Sequence, residues 1–381
     1  MTDIVFSIDP EIVVGVDTIN RAGLLCKKHC KRALIMTERA LYENKSLERL
    51  TTILGDSGVE SIVFDEISSQ ITAEVAQNIA VLARGARCEL IISLGGLKTQ
   101  ALARFAAILV HSSNDIFDLL DGKEPGDDFL PCLSIPTSGR DPFIFTNYCI
   151  ITDPRNRAIK QIKCPSRLCV GAIFDGGLIA SLDGKFAPAI AFDGFSTVLE
   201  AYCSRKSSLL SDALLEQALD LYIKIIHAYR NHELTDITEI IINAGLLMAL
   251  GIAISAPGPG LALAYSLNSR FPLSKSLCST ILLPCVIEKL ISCCPEKIAS
   301  VAVMMGEAEE ETSTIEKAQK VTDAIIRYRD DLHLPVKLKE YSSSLDRLIP
   351  VIDSMRNMNF IAFSPWTVTA EDAFALLKQA F

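Results

Sequence analysis

None of the twelve cysteines in this 381-residue chain form a Cys-x-x-Cys pair. The nearest approaches are Cys26 with Cys30, Cys164 with Cys169 and the adjacent Cys293-Cys294, and His29 is the only histidine beside any of them. A zinc module brings four donors together in paired clusters, so this spacing carries no cysteine metal site and reads as free, buried thiols. Positive charge is also short: 37 Lys+Arg against 46 Asp+Glu leaves a formal charge of −9, with the basic residues scattered. Duplex nucleic acid requires a positive face, so it is excluded as the expected partner. The start, Met1-Thr2-Asp3-Ile4, places an acid where a secretion signal needs basic residues, and a cytoplasmic protein is expected. There is no internal repeat and no low-complexity linker. The one charge run, Glu307-Ala308-Glu309-Glu310-Glu311, reads as a solvated loop or helix start.

What the chain does have is apolar bulk. Hydrophobic residues make up 49% of it, enough to exclude disorder as the main state, and at about 150 residues per domain the length suggests two to three domains. Ile240 to Tyr265 is free of charge, and Ile240 to Ala256 approaches the roughly 18 to 20 apolar residues of a spanning helix. Asn243, Gly245, Gly251 and Ser255 interrupt it and Pro257-Gly258-Pro259-Gly260 ends it, which favours a buried core helix and no membrane partner.

The first half alternates two periods. Arg32 to Thr37, Ser61 to Phe64 and Glu89 to Leu94 are short apolar runs that read as buried strands, while Lys45 to Leu54 and Ile71 to Arg84 repeat apolar residues at helical spacing. Strand, helix and strand in succession imply a parallel sheet, because parallel neighbours need a crossover. Cys132 to Ile135, Tyr148 to Thr152 and Cys169 to Phe174 are expected to extend or edge it. After about residue 180 the pattern turns helical throughout: Asp193 to Ser204, Ser211 to Arg230, Ile237 to Ala256, Leu277 to Ser292, Glu316 to Tyr328 and Ala370 to Ala380. The expected architecture is an α/β domain with a Rossmann-like parallel sheet over 1–180, followed by an all-α domain over 181–381.

Three segments of the first half suit an anion. Leu94-Gly95-Gly96-Leu97-Lys98-Thr99 passes from strand to helix, where glycines admit a ligand to the backbone, the helix N–H groups point at it, and Lys98 adds a full charge. The functional reading is a dinucleotide pyrophosphate site; an ordinary strand-to-helix turn is the alternative. Ile135-Pro136-Thr137-Ser138-Gly139-Arg140-Asp141 offers the hydroxyls of Thr137 and Ser138 and a guanidinium, or is a surface loop. Glu38, at the end of the first clear strand, can accept hydrogen bonds from a ribose diol and repel a 2′-phosphate, which favours NAD over NADP, or it is a solvated helix start.

In this order the segments resemble the iron-containing (group III) alcohol dehydrogenases of the dehydroquinate synthase-like superfamily. Val63-Phe64-Asp65 resembles the second-strand segment, Leu94-Gly95-Gly96-Leu97-Lys98 the Gly-Gly-Gly-Ser loop, and Ile135-Pro136-Thr137-Ser138-Gly139 the Ile-Pro-Thr-Thr-Ala-Gly segment. Asp193 to Tyr202 is similar to Asp-Ala-Leu-Thr-His-Ala-Ile-Glu-Ala-Tyr, and Ile281-Leu282-Leu283-Pro284 matches the Leu-Leu-Pro run. The resemblance implies one divalent ion, usually iron or zinc, held by an Asp and three His. Asp193 keeps the Asp position. Thr197, Leu261 and Lys275 stand where the three His belong, and Tyr265 where a further active-site His belongs. Leu97 replaces the third glycine, Lys98 the serine and Ala101 the acid that follows. The five histidines, His29, His111, His227, His232 and His333, fall at none of these places and read as polar surface or satisfied residues.

A leucine cannot coordinate and an ammonium repels a cation, so iron or zinc is not expected. Lys275 and Asp193 are instead expected to pair in the vacated position, because a buried lysine without a partner tends to lose its proton. The family implies an oxidoreductase that passes hydride between a nicotinamide cofactor, NAD by the Glu38 reading, in an interdomain cleft and a small alcohol or aldehyde. Lys275, Thr197 or Tyr265 would then act on the substrate oxygen in place of the metal. Two alternatives stand beside it: a catalytically inactive nucleotide-binding or regulatory relative, and a metal-independent superfamily enzyme whose anionic substrate is drawn by Lys98, Arg140 and Lys275. Family analogy alone suggests an oligomer, a homodimer among the options.

Overall fold

The computed structural model describes residues 7–43, 45–67, 71–179, 187–309, 311–341 and 344–381. The chain divides into two compact units, residues 1–156 with 160–183, and residues 157–159 with 184–381. The boundary expected at 180/181 lies outside the described residues, as do Met1-Thr2-Asp3-Ile4 and Glu310.

In the first unit, β1 (Glu11–Gly15), β2 (Arg32–Met36), β3 (Glu60–Phe64), β4 (Leu90–Gly95), β5 (Cys132–Pro136) and β8 (Cys169–Asp175) form a six-stranded sheet in the order β1-β8-β5-β4-β2-β3. Every pairing in it is parallel. The helices of this unit are α1 (Ala22–Lys27), α2 (Ala40–Glu43), α3 (Ser46–Asp56), α4 (Ala73–Gly85), α5 (Leu97–Leu109), α6 (Ile116–Leu120) and α7 (Gly176–Ile179). β2 hands over to β3 on one side through α3, and β3 hands over through α4 to β4 on the other side of β2. The strand order therefore reverses between β2 and β4, and the crevice beyond their carboxyl ends is where open α/β sheets bind ligands.

The expected strands are present, with one correction. Tyr148 to Thr152 does not extend or edge the large sheet: as β6 (Tyr148–Thr152) it pairs with β7 (Ile159–Lys163) in a separate two-stranded sheet. β1 and β7 give little sequence signal, because the apolar run of β1 is only Ile12-Val13-Val14 and β7 carries two lysines in five residues.

The second unit is helical: α8 (Ala187–Tyr202), α9 (Leu209–Asn231), α10 (Ile237–Ile254), α11 (Pro259–Arg270), α12 (Lys275–Ile291), α13 (Pro295–Met304), α14 (Thr314–Asp331), α15 (Ile349–Met355) and α16 (Ala370–Ala380). From Ala191 to Tyr202, α8 is buried on every side although it carries Asp193, Ser196, Thr197 and Glu200, so its buried polar groups need partners within the protein. The reading of Ile240 to Ala256 as a buried core helix holds for one face only. Ile242, Met248 and Ile252 of α10 are buried, whereas Ile241, Leu246, Leu247 and Ile254 are half-buried. By length and composition alone α10 could cross a membrane, and 44% of it is buried within the protein. The Pro-Gly-Pro-Gly segment ends α10 as expected, but it also begins α11, with Pro259 at the first helical position, where its missing N–H costs nothing.

All twelve cysteines carry free thiols, ten of them buried, with Cys294 half-buried and Cys293 exposed. Of the histidines, His227 is half-buried and the other four are exposed.

Candidate functional site

The first constellation sits at the strand-order reversal. Glu38 follows β2, and Gly95 ends β4 just before α5. One carboxylate oxygen of Glu38, Oε1, accepts hydrogen bonds from the Gly96 backbone N–H at 2.9 Å and from the Thr99 hydroxyl at 2.6 Å. Glu38 thus satisfies first-turn donors of α5 that the helix itself cannot pair, and a negative charge is favoured at that end of the dipole. Gly95 permits the approach: a Cβ there would stand 2.5 Å from Thr99 Oγ1 and 3.0 Å from Glu38 Oε1. Beside this contact opens a cavity of about 740 Å³ lined by Glu38, Arg39, Asp65, Glu66 and Lys98, among others. Burial pushes the Lys98 ammonium below its usual range and the nearby Arg140 lowers it further, while Glu38 opposes both.

Thr137 and Ser138 follow β5 on the loop that the sequence singled out. The Thr137 N–H donates to the Gly95 carbonyl at 3.1 Å, which ties that loop to the end of β4. An interaction that sequence reasoning missed holds the rest of it. Arg104 of α5 pairs with Asp141 at 3.3 Å, both side chains buried, and Arg104 also donates to the Phe143 carbonyl. Asp141 in turn accepts from the Phe143 N–H at 3.0 Å. The available signal was an arginine inside the apolar run Ala101 to Leu109.

The second constellation lies in the helical unit. Asp193 on α8 is fully buried, and its Oδ1 accepts from Lys275 Nζ and from Ser279 Oγ, each at 2.6 Å. Lys275 and Ser279 are four residues apart on α12 and so share a face. Lys275 opens that helix, where the dipole disfavours a cation, and the Asp193 carboxylate offsets this. Its ammonium lies 5.1 Å from the centre of the Tyr265 ring on α11. The Lys275–Asp193 ion pair is buried on both sides, with side-chain exposures of 4% and 0%.

The remaining expected positions contribute differently. Thr197 is buried and donates its hydroxyl to the Asp193 backbone carbonyl at 2.8 Å, so its proton is directed along α8. Leu261 is buried and apolar, close to the start of α11. That start is held by Glu200, whose carboxylate accepts from the N–H groups of Gly260 at 2.7 Å and Leu261 at 2.9 Å. Burial pushes the Glu200 carboxyl up to about 7, against the pull of those N–H groups and of Lys275. The donor set around Asp193 is one carboxylate, two hydroxyls and an ammonium. Zinc takes four lone-pair donors; the carboxylate and the two hydroxyls named here are three, and the ammonium has no lone pair to give. Among the described residues no group of three His, Cys, Asp or Glu stands together.

The chain was compared with known proteins. The family model "Iron-containing alcohol dehydrogenase" matches residues 9–176, and "Fe-containing alcohol dehydrogenase family, C-terminal" matches residues 189–381. The 1,3-propanediol dehydrogenase of Klebsiella pneumoniae is 23% identical over 373 residues, 96% of each chain. The NAD-dependent methanol dehydrogenase of Bacillus methanolicus is 22% identical over 380 residues, 98% of this chain and 99% of that protein. The crystal structure of a 1,3-propanediol oxidoreductase superposes with a TM-score of 0.92 at 21% identity, covering both chains completely. Two adjoining family models, which together account for both units, give the conclusion that the chain belongs to the iron-containing alcohol dehydrogenase family.

Proposed function

We propose that this chain is a cytoplasmic oxidoreductase that exchanges hydride between NAD and a small alcohol or aldehyde without a resident metal ion. The observation that carries the reading is the Lys275 ammonium on Asp193 at 2.6 Å, at two positions that the family resemblance assigns to metal ligands. A metal ion polarises the substrate oxygen as a Lewis acid. Here Lys275 supplies the positive charge, steadied by Asp193 and Ser279, and a buried ammonium can donate a hydrogen bond to a carbonyl or alkoxide oxygen. The preference for NAD draws on the cavity beside Glu38, whose lining includes the carboxylates of Glu38, Asp65 and Glu66 and would repel a 2′-phosphate. One relative is named as NAD-dependent. A second reading, a nucleotide-binding relative without catalysis, is favoured by the Asp193 carboxylate: it already balances the charge of Lys275 and weakens it as an electrophile.

Calorimetric titration with NAD and NADP, followed by NADH-coupled reduction of an aldehyde panel in EDTA, tests both. Binding of NAD with turnover that survives EDTA is the expected result. Turnover that appears only when iron or zinc is added would remove the metal-free reading, and NAD binding without turnover under either condition would favour the second.

A further inference from the structure

The cradle that a dinucleotide needs is already filled by the protein's own anion. Glu38 Oε1 takes the Gly96 N–H and the Thr99 hydroxyl, donors at the start of α5. A second feature independently marks the same spot as a ligand position. The Ser138 hydroxyl is buried and has no hydrogen-bond partner among the described residues. A Cβ built on Gly96 would stand 3.4 Å from Glu38 Oε1 and 3.8 Å from Ser138 Oγ, so both groups border the same point beside Gly96. A buried polar group left unpaired is costly, and a phosphoryl oxygen at Gly96 would satisfy it.

We propose that Glu38 is an internal, displaceable anion of the phosphate cradle, and that a nucleoside diphosphate enters by driving it off. The inference rests on the nucleotide reading above. A carboxylate and a diphosphate cannot share one N–H and one hydroxyl, because both are acceptors only and both are negative. The incoming group therefore has to replace two charge-assisted hydrogen bonds. The cavity beside Glu38 gives its side chain room to swing. Once Glu38 has swung away, the positive charges of Lys98, which lines the cavity, and of Arg140, which acts on Lys98, add to the attraction for an anion. The selection that follows is for ligands with enough negative charge to win the exchange: a diphosphate does so, while a single inorganic phosphate gains too few contacts. Glu38 so becomes a determinant of which anions enter, in addition to any contact it makes with a ribose.

Calorimetric titration of ADP and of inorganic phosphate into the full chain and into Glu38→Gln and Glu38→Ala tests this, with thermal melts to show that each variant is folded. Both variants are expected to bind ADP at least about tenfold more tightly than the parent, a factor equivalent to 1.4 kcal/mol. Inorganic phosphate should bind measurably only to the variants. Equal or weaker ADP binding by folded variants would overturn the proposal and assign Glu38 to the ligand. Absence of ADP and NAD binding from all three proteins would overturn the nucleotide reading itself, and this inference with it.

Discussion

Lys275 Nζ lies 2.6 Å from Asp193 Oδ1, joining two buried charges that are 82 residues apart in sequence. The pair is held by elements that are secure without it: α8 buried on every side, and α12 capped by Ser274, whose hydroxyl accepts from the Leu277 N–H. Neither charge has water to fall back on, so each depends on the other.

Removing one partner should therefore be expensive and removing both cheap. Lys275→Met leaves Asp193 buried without its cation, and a loss of about 3–5 kcal/mol is expected in urea unfolding. The double variant Asp193→Leu/Lys275→Met should recover most of it, since apolar replacement of a buried pair is often neutral. A single variant within about 1 kcal/mol of the parent would show that the pair is not the dominant partner of either charge.

Ser279 is the lesser support. Ser279→Ala removes one hydrogen bond to a buried carboxylate and should cost about 1.5–3 kcal/mol, the range for hydrogen bonds to charged groups. In any assay that reads Lys275, the variant should still respond, because the ammonium keeps its carboxylate.

Glu200 should make stability depend on pH. Its folded carboxyl is raised to about 7 from 4.5, so between those values the folded state binds more protons than the unfolded one. Its contribution is then complete below about pH 4.5 and is lost as pH rises through 7. The stability difference between the parent and Glu200→Gln should fall by about 1–3 kcal/mol across that window, measured by denaturant unfolding at fixed pH. An unchanged difference would mean that Glu200 stays ionised at the start of α11.

Divalent ions should not stabilise the protein. An ion that binds only the folded state raises the melting temperature in proportion to RT ln(1 + [L]/Kd). Melts with iron or zinc added, and with EDTA, are expected to coincide with the untreated protein. Elemental analysis of the purified chain should likewise find less than one equivalent of either metal.

The strands that stand at the centre of the large sheet were readable as short, largely apolar runs, because they are buried on both faces. The edge strand β1 was not, its Ile12-Val13-Val14 run being only three residues long. α11 was hidden by Pro257-Gly258-Pro259-Gly260, a segment that stops one helix and starts the next with the same residues. At the site, the spacing of Lys275 and Ser279 was visible, but nothing local said that both would reach one oxygen of Asp193. Glu38 was read as a ribose partner or a solvated helix start, and nothing local announced the hydrogen bonds it accepts from the Gly96 N–H and the Thr99 hydroxyl.

The order of the central strands and of most helices, and the resemblance to the family, were legible in the sequence alone, because periodicity and residue chemistry are local properties. The Lys275–Asp193 pair was expected from the sequence, but that Ser279 joins it, that Arg104 meets Asp141 and that Glu38 reaches the Gly96 N–H was decided only by the tertiary structure. Electrostatic pairing acts over a few ångströms, and only packing brings α8 against α12, or the end of β2 against the start of α5, to within that reach.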